Sequence, residues 1–100
     1  MIEYSSIQAG TVLDDQIEFS LLELCRYCDV RARHVAEMVE EGVVKPSGPG
    51  PFNWRFNGIM LKRVQTIVRL ERDLEVNLSG AVLIIKLLEE IDYLKRKAGN

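Results

Sequence analysis

The pattern of apolar residues along this 100-residue chain changes near residue 19. Residues 1–18 show no sustained period and are rich in polar residues, so we predict a loosely held N-terminal leader. Residues 16–19 alternate between polar and apolar and could form a short strand. Beyond this point the apolar positions recur with helical spacing. We therefore predict a single domain over residues 19–97, followed by a tail over residues 98–100.

A short first helix is predicted over residues 21–28. Ser20 precedes it, and Glu23 follows three residues later, which is the spacing of a capping box. Both cysteines of the chain belong to its apolar face, which consists of Leu21, Leu24, Cys25 and Cys28. We interpret the C-x-x-C pair as core packing, since a zinc site would need a second pair of ligands and the only other soft candidate is His34.

A second helix is predicted over residues 31–41, after a tight turn at Asp29 and Val30. Gly42 should end this helix, because glycine enters the left-handed region of the backbone without steric cost. His34 is interpreted as a surface residue of the second helix. The residues expected to face the core from this helix are Ala32, Val35, Ala36 and Val39.

A hairpin, or wing, is predicted to follow. Residues 43–45 should pair with residues 52–56 across a loop of proline, glycine and serine, a composition that favours a turn. Phe52, Trp54 and Phe56 alternate along the second strand. One face of the wing would then be aromatic and would close over the first and third helices.

Two longer helices complete the predicted domain. Asn57 can cap a helix over residues 58–74, and Asn77 can cap a last helix over residues 78–97. The apolar set of the third helix is Met60, Leu61, Val64, Ile67, Val68, Leu70 and Leu74. The expected fold is mainly α: a winged helix-turn-helix with a small β-hairpin wing and two longer C-terminal helices.

The last helix has more apolar surface than one small core can cover. Residues 81–85 are apolar on every side, and two adjacent apolar stripes continue beyond them. One stripe should face the core and the other a second copy of the chain, although both could belong to the core. The residues expected to form a homodimer interface are Leu83, Leu87, Ile91 and Leu94.

Composition narrows the range of functions. The net charge is −2, whereas a chain that grips a phosphate backbone is usually basic, so nucleic acid is not the expected partner. The sequence contains no cluster of His, Cys, Ser or carboxylate residues to which a catalytic mechanism can be assigned. We therefore expect no enzyme activity, no cofactor and no metal ion. The first residues lack the features of a signal peptide, and the longest apolar run is far too short for a membrane span. We therefore expect a cytoplasmic protein.

The order of elements resembles the winged helix-turn-helix of the MerR superfamily over roughly residues 19–97. Within that superfamily, the chain is most similar to the CbpM chaperone modulators, which bind the J-domain co-chaperone CbpA. The segments that carry the likeness are Gly42 to Pro46, Trp54 to Phe56, Arg69 to Asn77 and Ile91 to Lys95. The first of these is common to both branches, whereas the second and third are more diagnostic of CbpM.

The resemblance to DNA-binding MerR proteins does not extend to the positions at which those proteins contact phosphate. In place of a hydroxyl cap and a basic residue on the second helix, this chain has Arg31 and Ala36. In place of a pair of tyrosines it has Glu37 and Met38. Carboxylates on this helix would repel a phosphate backbone, and the loop of residues 47–51 has no cation to enter a minor groove.

The resemblance instead implies a protein partner. J-domains of this class display a basic second helix, and CbpM-like proteins occupy the J-domain face that a DnaK-type chaperone would use. The chain is therefore expected to inhibit a DnaJ- or CbpA-type co-chaperone by competition. The alternative is a MerR-like transcription regulator that binds DNA and lacks an effector domain.

Acidic residues dominate the expected contact with the J-domain. The residues assigned to it are Arg33, Glu37, Glu40, Glu41, Asp73 and Glu75. Two other readings of the charges stay open. The acids of the second helix could be only a solvated surface, or the contact could centre on Asp73 and Glu75 or on Asp14 and Asp15 in the leader.

Overall fold

Four helices and a two-stranded antiparallel sheet form the fold, in a computed structural model that describes residues 17–99. The helices are α1 (Leu21–Cys28), α2 (Ala32–Glu40), α3 (Gly58–Leu74) and α4 (Leu78–Gly99). The strands are β1 (Glu18–Phe19) and β2 (Phe56–Asn57), and a 3-10 turn covers Pro51–Asn53. The predicted mainly α class is confirmed, and each helix ends within two residues of its predicted bounds. The leader up to residue 16 lies outside the described residues.

Side-chain caps begin three of the helices, as the sequence indicates. The Ser20 hydroxyl accepts a hydrogen bond from the Glu23 N–H at 3.2 Å, and the Glu23 carboxylate accepts one from the Ser20 N–H at 2.8 Å. Asn57 and Asn77 each accept a backbone N–H from three residues later at 2.9 Å. These caps satisfy N–H groups that have no partner inside their own helices, which fixes where α1, α3 and α4 start.

Left-handed residues mark the helix ends. Gly42 follows α2 with a φ of 79°, as predicted. Asp29 ends α1 with a φ of 54°, and Glu75 ends α3 with a φ of 53°. Aspartate tolerates this conformation, but for most L-residues it costs roughly 1–2 kcal/mol. Glu75 therefore occupies backbone that favours glycine.

Helix α3 lies at the centre of the core, where it packs against α1, α4 and β2. The one buried polar side chain among the described residues is Thr66, and its hydroxyl donates to the Lys62 carbonyl at 2.9 Å. The fully buried apolar side chains come from every helix: Leu24, Val35, Met38, Leu61, Val64, Ile67, Ala81 and Ile85, with Val44 and Phe56 from the segments between.

The strand pairing differs from the prediction. β2 pairs with β1 and not with residues 43–45, in a register that sets Glu18 opposite Asn57 and Phe19 opposite Phe56. The short strand predicted near residues 16–19 is thus present over its last two residues, and its partner lies 38 residues further along the chain. The segment just before α1 is thereby tied to the start of α3.

The wing is smaller than predicted. Val43 and Val44 are both buried, whereas successive residues of a strand point to opposite faces, so residues 43–45 serve the core and not a hairpin. What is left of the wing is a bridge between Ser47 and Arg55, which exchange backbone hydrogen bonds of 3.1 and 2.9 Å.

The predicted aromatic face of the wing is wrong at one position. Phe56 is fully buried, and half-buried Trp54 contacts it edge to face with 6.0 Å between ring centroids. Phe52 instead lies in the 3-10 turn and is wholly exposed. The turn breaks the alternation of side chains that a strand would impose, so Phe52 points away from the core.

Two other burial predictions are wrong, and one buried residue was not expected. Ala32 and Leu74 are exposed, because each is a terminal residue of its helix. Met38, assigned from the MerR likeness to a phosphate-facing tyrosine position, is fully buried. The core face of α2 is set by Val35 and Met38, which lie three residues apart on one side of the helix.

Candidate partner-binding surface

Helix α2 presents a row of charged side chains on its exposed side. Because Val35 and Met38 point into the core, Arg33, Glu37 and Glu40 fall together on the exposed side at positions i, i+4 and i+7. These three residues are among those that the sequence assigns to the partner. The geometry of one helix is sufficient to align them.

The charges along α2 oppose its own dipole. The N-terminus of a helix carries partial positive charge and the C-terminus partial negative charge. Arg31 and Arg33 lie at the positive end, and Glu40 and Glu41 lie at the negative end. Arg31 also holds the N-cap position, where its donor-only guanidinium cannot accept a hydrogen bond from the free N–H groups. The charge pattern of α2 therefore does not serve the stability of the helix.

His34 joins α2 to α3. Its Nδ1 lies 2.9 Å from a carboxylate oxygen of Glu37, and its Nε2 lies 2.7 Å from a carboxylate oxygen of Glu71. The sequence interpretation of His34 as a plain surface residue is wrong: the side chain is only 29% exposed and bridges two helices. Burial by itself lowers the pKa of His34, but the hydrogen bonds to Glu37 and Glu71 outweigh it and raise the pKa above its usual value.

The bridge has two chemical consequences. The two carboxylates bind opposite nitrogens of the imidazole, so His34, Glu37 and Glu71 cannot converge on one ion. Over residues 17–99, the structure gathers no set of three His, Cys, Asp or Glu side chains suited to a metal. The bridge also occupies the carboxylate of Glu37, which leaves Glu40 and Glu41 as the acids of α2 that remain fully available to a partner.

A cleft of about 490 Å³ opens where the α1–α2 turn and α2 approach α3. Val30 and Val68 supply its apolar lining, one from each side. The polar residues around it are Asp29, Arg31, Arg33, His34, Glu37, Glu71 and Arg72. The cleft thus lies beside the charged row of α2 and shares Arg33 and Glu37 with it.

The remaining predicted contact residues lie apart from the cleft. Asp73 and Glu75 are exposed at the C-terminal end of α3, whereas the α3 residues that line the cleft are Val68, Glu71 and Arg72. Sequence reasoning missed the last two because their partners are distant in sequence: Glu71 binds His34 of α2, and Arg72 binds Asp29 in the α1–α2 turn. The i,i+3 spacing of His34 and Glu37 is the one local signal that could have revealed part of the bridge.

The two cysteines are packing residues, as predicted. Cys28 is buried, and its Sγ lies 3.9 Å from the Leu61 carbonyl oxygen. Burial, and secondarily the nearby Cys25, raises the pKa of the Cys28 thiol to about 11, and burial also raises the pKa of Cys25. A redox pair needs a lowered thiol pKa, so this C-x-x-C has the opposite electrostatics.

Helix α4 carries an uncovered apolar stripe. Ile85 is buried against α3, whereas Leu83, Leu87, Ile91 and Leu94 are each about half exposed. At 100° per residue, this stripe lies on the opposite side of the helix from Ile85. No helix in the described part of the chain is long and apolar enough to cross a membrane.

Comparison with known proteins places the fold in a family. Residues 19–99 match the family model described as MerR HTH family regulatory protein. The chaperone modulatory protein CbpM of Coxiella burnetii (strain Dugway 5J108-111) is 30% identical over 88 residues, which cover 88% of this chain and 83% of the relative. The proteins of the same name from Pseudomonas entomophila (strain L48) and Pseudomonas putida (strain W619) are 35% and 32% identical over 79 residues, which cover 79% of this chain and 78% of each relative.

These relatives bear the names of regulators and modulators and not of enzymes. The family match spans all four helices, β2 and the last residue of β1. The chain belongs to the MerR helix-turn-helix family and, within it, to the CbpM chaperone modulatory proteins.

Proposed function

We propose that this chain modulates a chaperone system by binding the J-domain of a CbpA- or DnaJ-type co-chaperone. Bound there, it would compete with the DnaK-type chaperone for the same J-domain face. Membership of the CbpM family supports chaperone modulation as the general function. The choice of the J-domain as the target, and competition as the mechanism, follow from what the resemblance to CbpM implies, and the charges of α2 support the J-domain as the target. We expect the protein to act in the cytoplasm.

The acidic end of α2 is the observation that carries the proposal. A DNA reader of the MerR kind contacts phosphate with this helix, whereas this chain presents the carboxylates of Glu37, Glu40 and Glu41 there. A J-domain with a basic second helix is complementary to those carboxylates, which would steer its approach and set the register of the complex. Asp73 and Glu75 extend the same sign of charge along the end of α3, and Arg33 lies at the other end of the row.

The test is a reconstituted ATPase assay with a J-domain protein and a DnaK-type chaperone. The wild type should suppress the J-domain stimulation of ATP hydrolysis. Glu40→Lys and Glu41→Lys should each weaken suppression, and the double variant should bind the J-domain at least about tenfold less tightly, or roughly 1.4 kcal/mol. Glu37 is left intact in this test because it also holds His34.

Glu18→Lys is the matched control, because Glu18 is an exposed carboxylate of β1 and lies off α2. It makes the same charge change as Glu40→Lys and should leave suppression unchanged. Equal inhibition by the wild type and the Glu40→Lys/Glu41→Lys variant, with both folded by circular dichroism, would show that α2 is the wrong surface. Absence of J-domain binding by the wild type at any salt concentration would overturn the function itself.

Homodimerisation through α4 is part of the proposal. Leu83, Leu87, Ile91 and Leu94 form a continuous stripe that the chain's own core leaves half exposed. A second copy can cover the stripe with the same residues, as the isologous interface of a two-fold dimer requires. The dimer would also present two J-domain surfaces, one on each protomer.

Regulation of transcription through DNA is the competing function. The match to a family of regulatory proteins and the arginines at the start of α2 favour it. The carboxylates that follow on α2 oppose it, as does a wing loop of residues 47–51 with no Lys or Arg. Measured affinity for duplex DNA separates the two functions.

A further inference from the structure

The ion pairs of the cleft between α2 and α3 are unevenly distributed among its charged side chains. It contains three carboxylates, three guanidiniums and His34. Each carboxylate has a basic partner inside the cleft: Glu37 and Glu71 bind His34, and Asp29 lies 3.4 Å from an Nη atom of Arg72. Arg31 and Arg33 have no carboxylate within ion-pair distance among residues 17–99. The two charged side chains of the cleft that lack an ion-pair partner within residues 17–99 are therefore both cationic, although the chain as a whole is acidic.

We propose that this cleft binds a carboxylate side chain of the same protein partner that contacts the acidic end of α2, with Arg31 and Arg33 as the donors. The inference rests on the proposed function, since the partner is the J-domain. Helix α2 would then contact groups of opposite charge at its two ends: an acidic group of the partner at its start and basic groups of the partner at its end.

The cleft has room for a side chain of the partner, and its lining suits a carboxylate. A volume of about 490 Å³ is at the lower end of the range for ligand pockets, and the walls supplied by Val30 and Val68 can contact the methylene groups of an aspartate or glutamate. A guanidinium matches a carboxylate in geometry, because its N–H groups can donate in parallel to both oxygens. A partner carboxylate here could accept hydrogen bonds from Arg31 and Arg33, which have no ion-pair partner among the described residues.

A phosphate backbone fits the same arginines less well. A duplex brings many negative charges along one line, and Glu40 and Glu41 continue the row of α2 directly beyond the cleft. A single carboxylate brings one charge, and it can bind Arg31 and Arg33 without extending along the row to Glu40 and Glu41. The balance of charges around the cleft therefore favours an acidic side chain over nucleic acid.

The paired substitution Arg31→Glu/Arg33→Glu tests the inference, because the expected change in affinity is opposite to the change that net charge alone would give. If α2 acted only as an acidic surface, four units of added negative charge would strengthen its attraction to a basic J-domain. If the cleft holds a carboxylate, the same change should weaken J-domain binding by about tenfold or more. The measurement is isothermal titration calorimetry with the isolated J-domain, and the matched control is Arg26→Glu/Arg69→Glu.

Arg26 and Arg69 are exposed and lie outside the lining of the cleft, so the control makes the same net charge change elsewhere. The control should bind at least as tightly as the wild type. A J-domain in which the contacting acid is replaced by lysine should recover affinity for the Arg31→Glu/Arg33→Glu variant, which identifies the acid. Circular dichroism establishes that each variant is folded.

The possible outcomes distinguish failure of this inference from failure of the proposed function. Unchanged or tighter J-domain binding by Arg31→Glu/Arg33→Glu overturns the inference and leaves the proposed function standing. Failure of the wild type to bind any J-domain overturns both. Sub-micromolar duplex DNA binding that this variant loses would assign the cleft to phosphate and also overturn the inference.

Discussion

The imidazole of His34 on α2 lies 2.7 Å from the carboxylate of Glu71 on α3, across 37 positions of sequence. The bridge makes one contact between α2 and α3 depend on a titratable group. Because α2 carries the residues that we assign to the partner, a change in the protonation of His34 acts on the same surface.

We expect the pKa of His34 to lie above its usual value near 6.5, and to be lower in Glu71→Gln than in the wild type. The chain has one histidine, so its ring resonances in NMR are unambiguous. Glu90→Gln, an exposed change on α4, is the control and should leave the titration alone. A His34 that titrates at or below 6.5 and ignores Glu71→Gln would mean that the bridge does not form in solution.

The same shift gives a pH dependence of stability. A group whose pKa is higher in the folded state stabilises the fold in its protonated form. The contribution of His34 should be fully present below about pH 6.5 and should be lost as the pH rises through the folded-state pKa. The melting temperature of the wild type should therefore fall from pH 6 to pH 8 by more than that of His34→Gln.

Arg31→Ser should stabilise the protein. Serine can accept a hydrogen bond from the start of α2, which Arg31 cannot, and a good N-cap contributes on the order of 1 kcal/mol. Urea denaturation gives the change in the free energy of unfolding, and Arg26→Ser in the last turn of α1 should give no such gain. If the cleft binds a carboxylate, the stabilised Arg31→Ser variant should also bind the J-domain less well.

Met38 and Phe52 should respond to truncation in opposite ways. Met38→Ala removes a fully buried side chain and should cost about 2–5 kcal/mol, whereas Met38→Leu keeps the volume and should cost less than about 1.5 kcal/mol. Phe52→Ala should stay within about 0.5 kcal/mol, since the ring is wholly exposed. A large loss of stability in Phe52→Ala would contradict the position of the 3-10 turn.

Leu87→Glu should convert a dimer to a folded monomer. The side chain is 53% exposed in the single chain, so the charge stays hydrated in the monomer but would be buried in a dimer. Sedimentation equilibrium measures the change, and Lys86→Glu beside the stripe should remain dimeric. A monomeric wild type at high micromolar concentration would exclude the dimer.

Duplex DNA should bind weakly and without sequence preference. Non-specific binding at physiological salt falls in the range of about 1–100 µM and weakens steeply as salt rises. Fluorescence anisotropy with promoter-length duplexes is the measurement. Sequence-selective binding below about 1 µM would favour the transcription regulator over the chaperone modulator.

Local signals account for what the sequence predicted well. Ser20, Asn57 and Asn77 act on N–H groups within three residues, and Gly42 acts through its own φ angle. Such interactions join residues that are close in sequence, so the residue types of a short segment are enough to predict them. The helix bounds and the helical class of the fold follow from them.

Long-range partners account for what it missed. β2 could pair with residues 43–45 or with β1, and only the burial of Val43 and Val44 decides between them. Likewise, nothing near His34 in the sequence points to Glu71. The acidic end of α2 was predictable from periodicity, but the cleft beside it exists only once α3 crosses α2.

The far end of α4 has a consequence for hydrogen exchange. From Glu90 onward every described residue of the helix is exposed, so in a lone chain its backbone amides are held by little besides the helical hydrogen bonds themselves. Those amides should exchange quickly in dilute protein and slowly in concentrated protein if a second copy covers the stripe. The last turns of α4 would then be protected from exchange only in the dimer. Their protection factors would report on association directly.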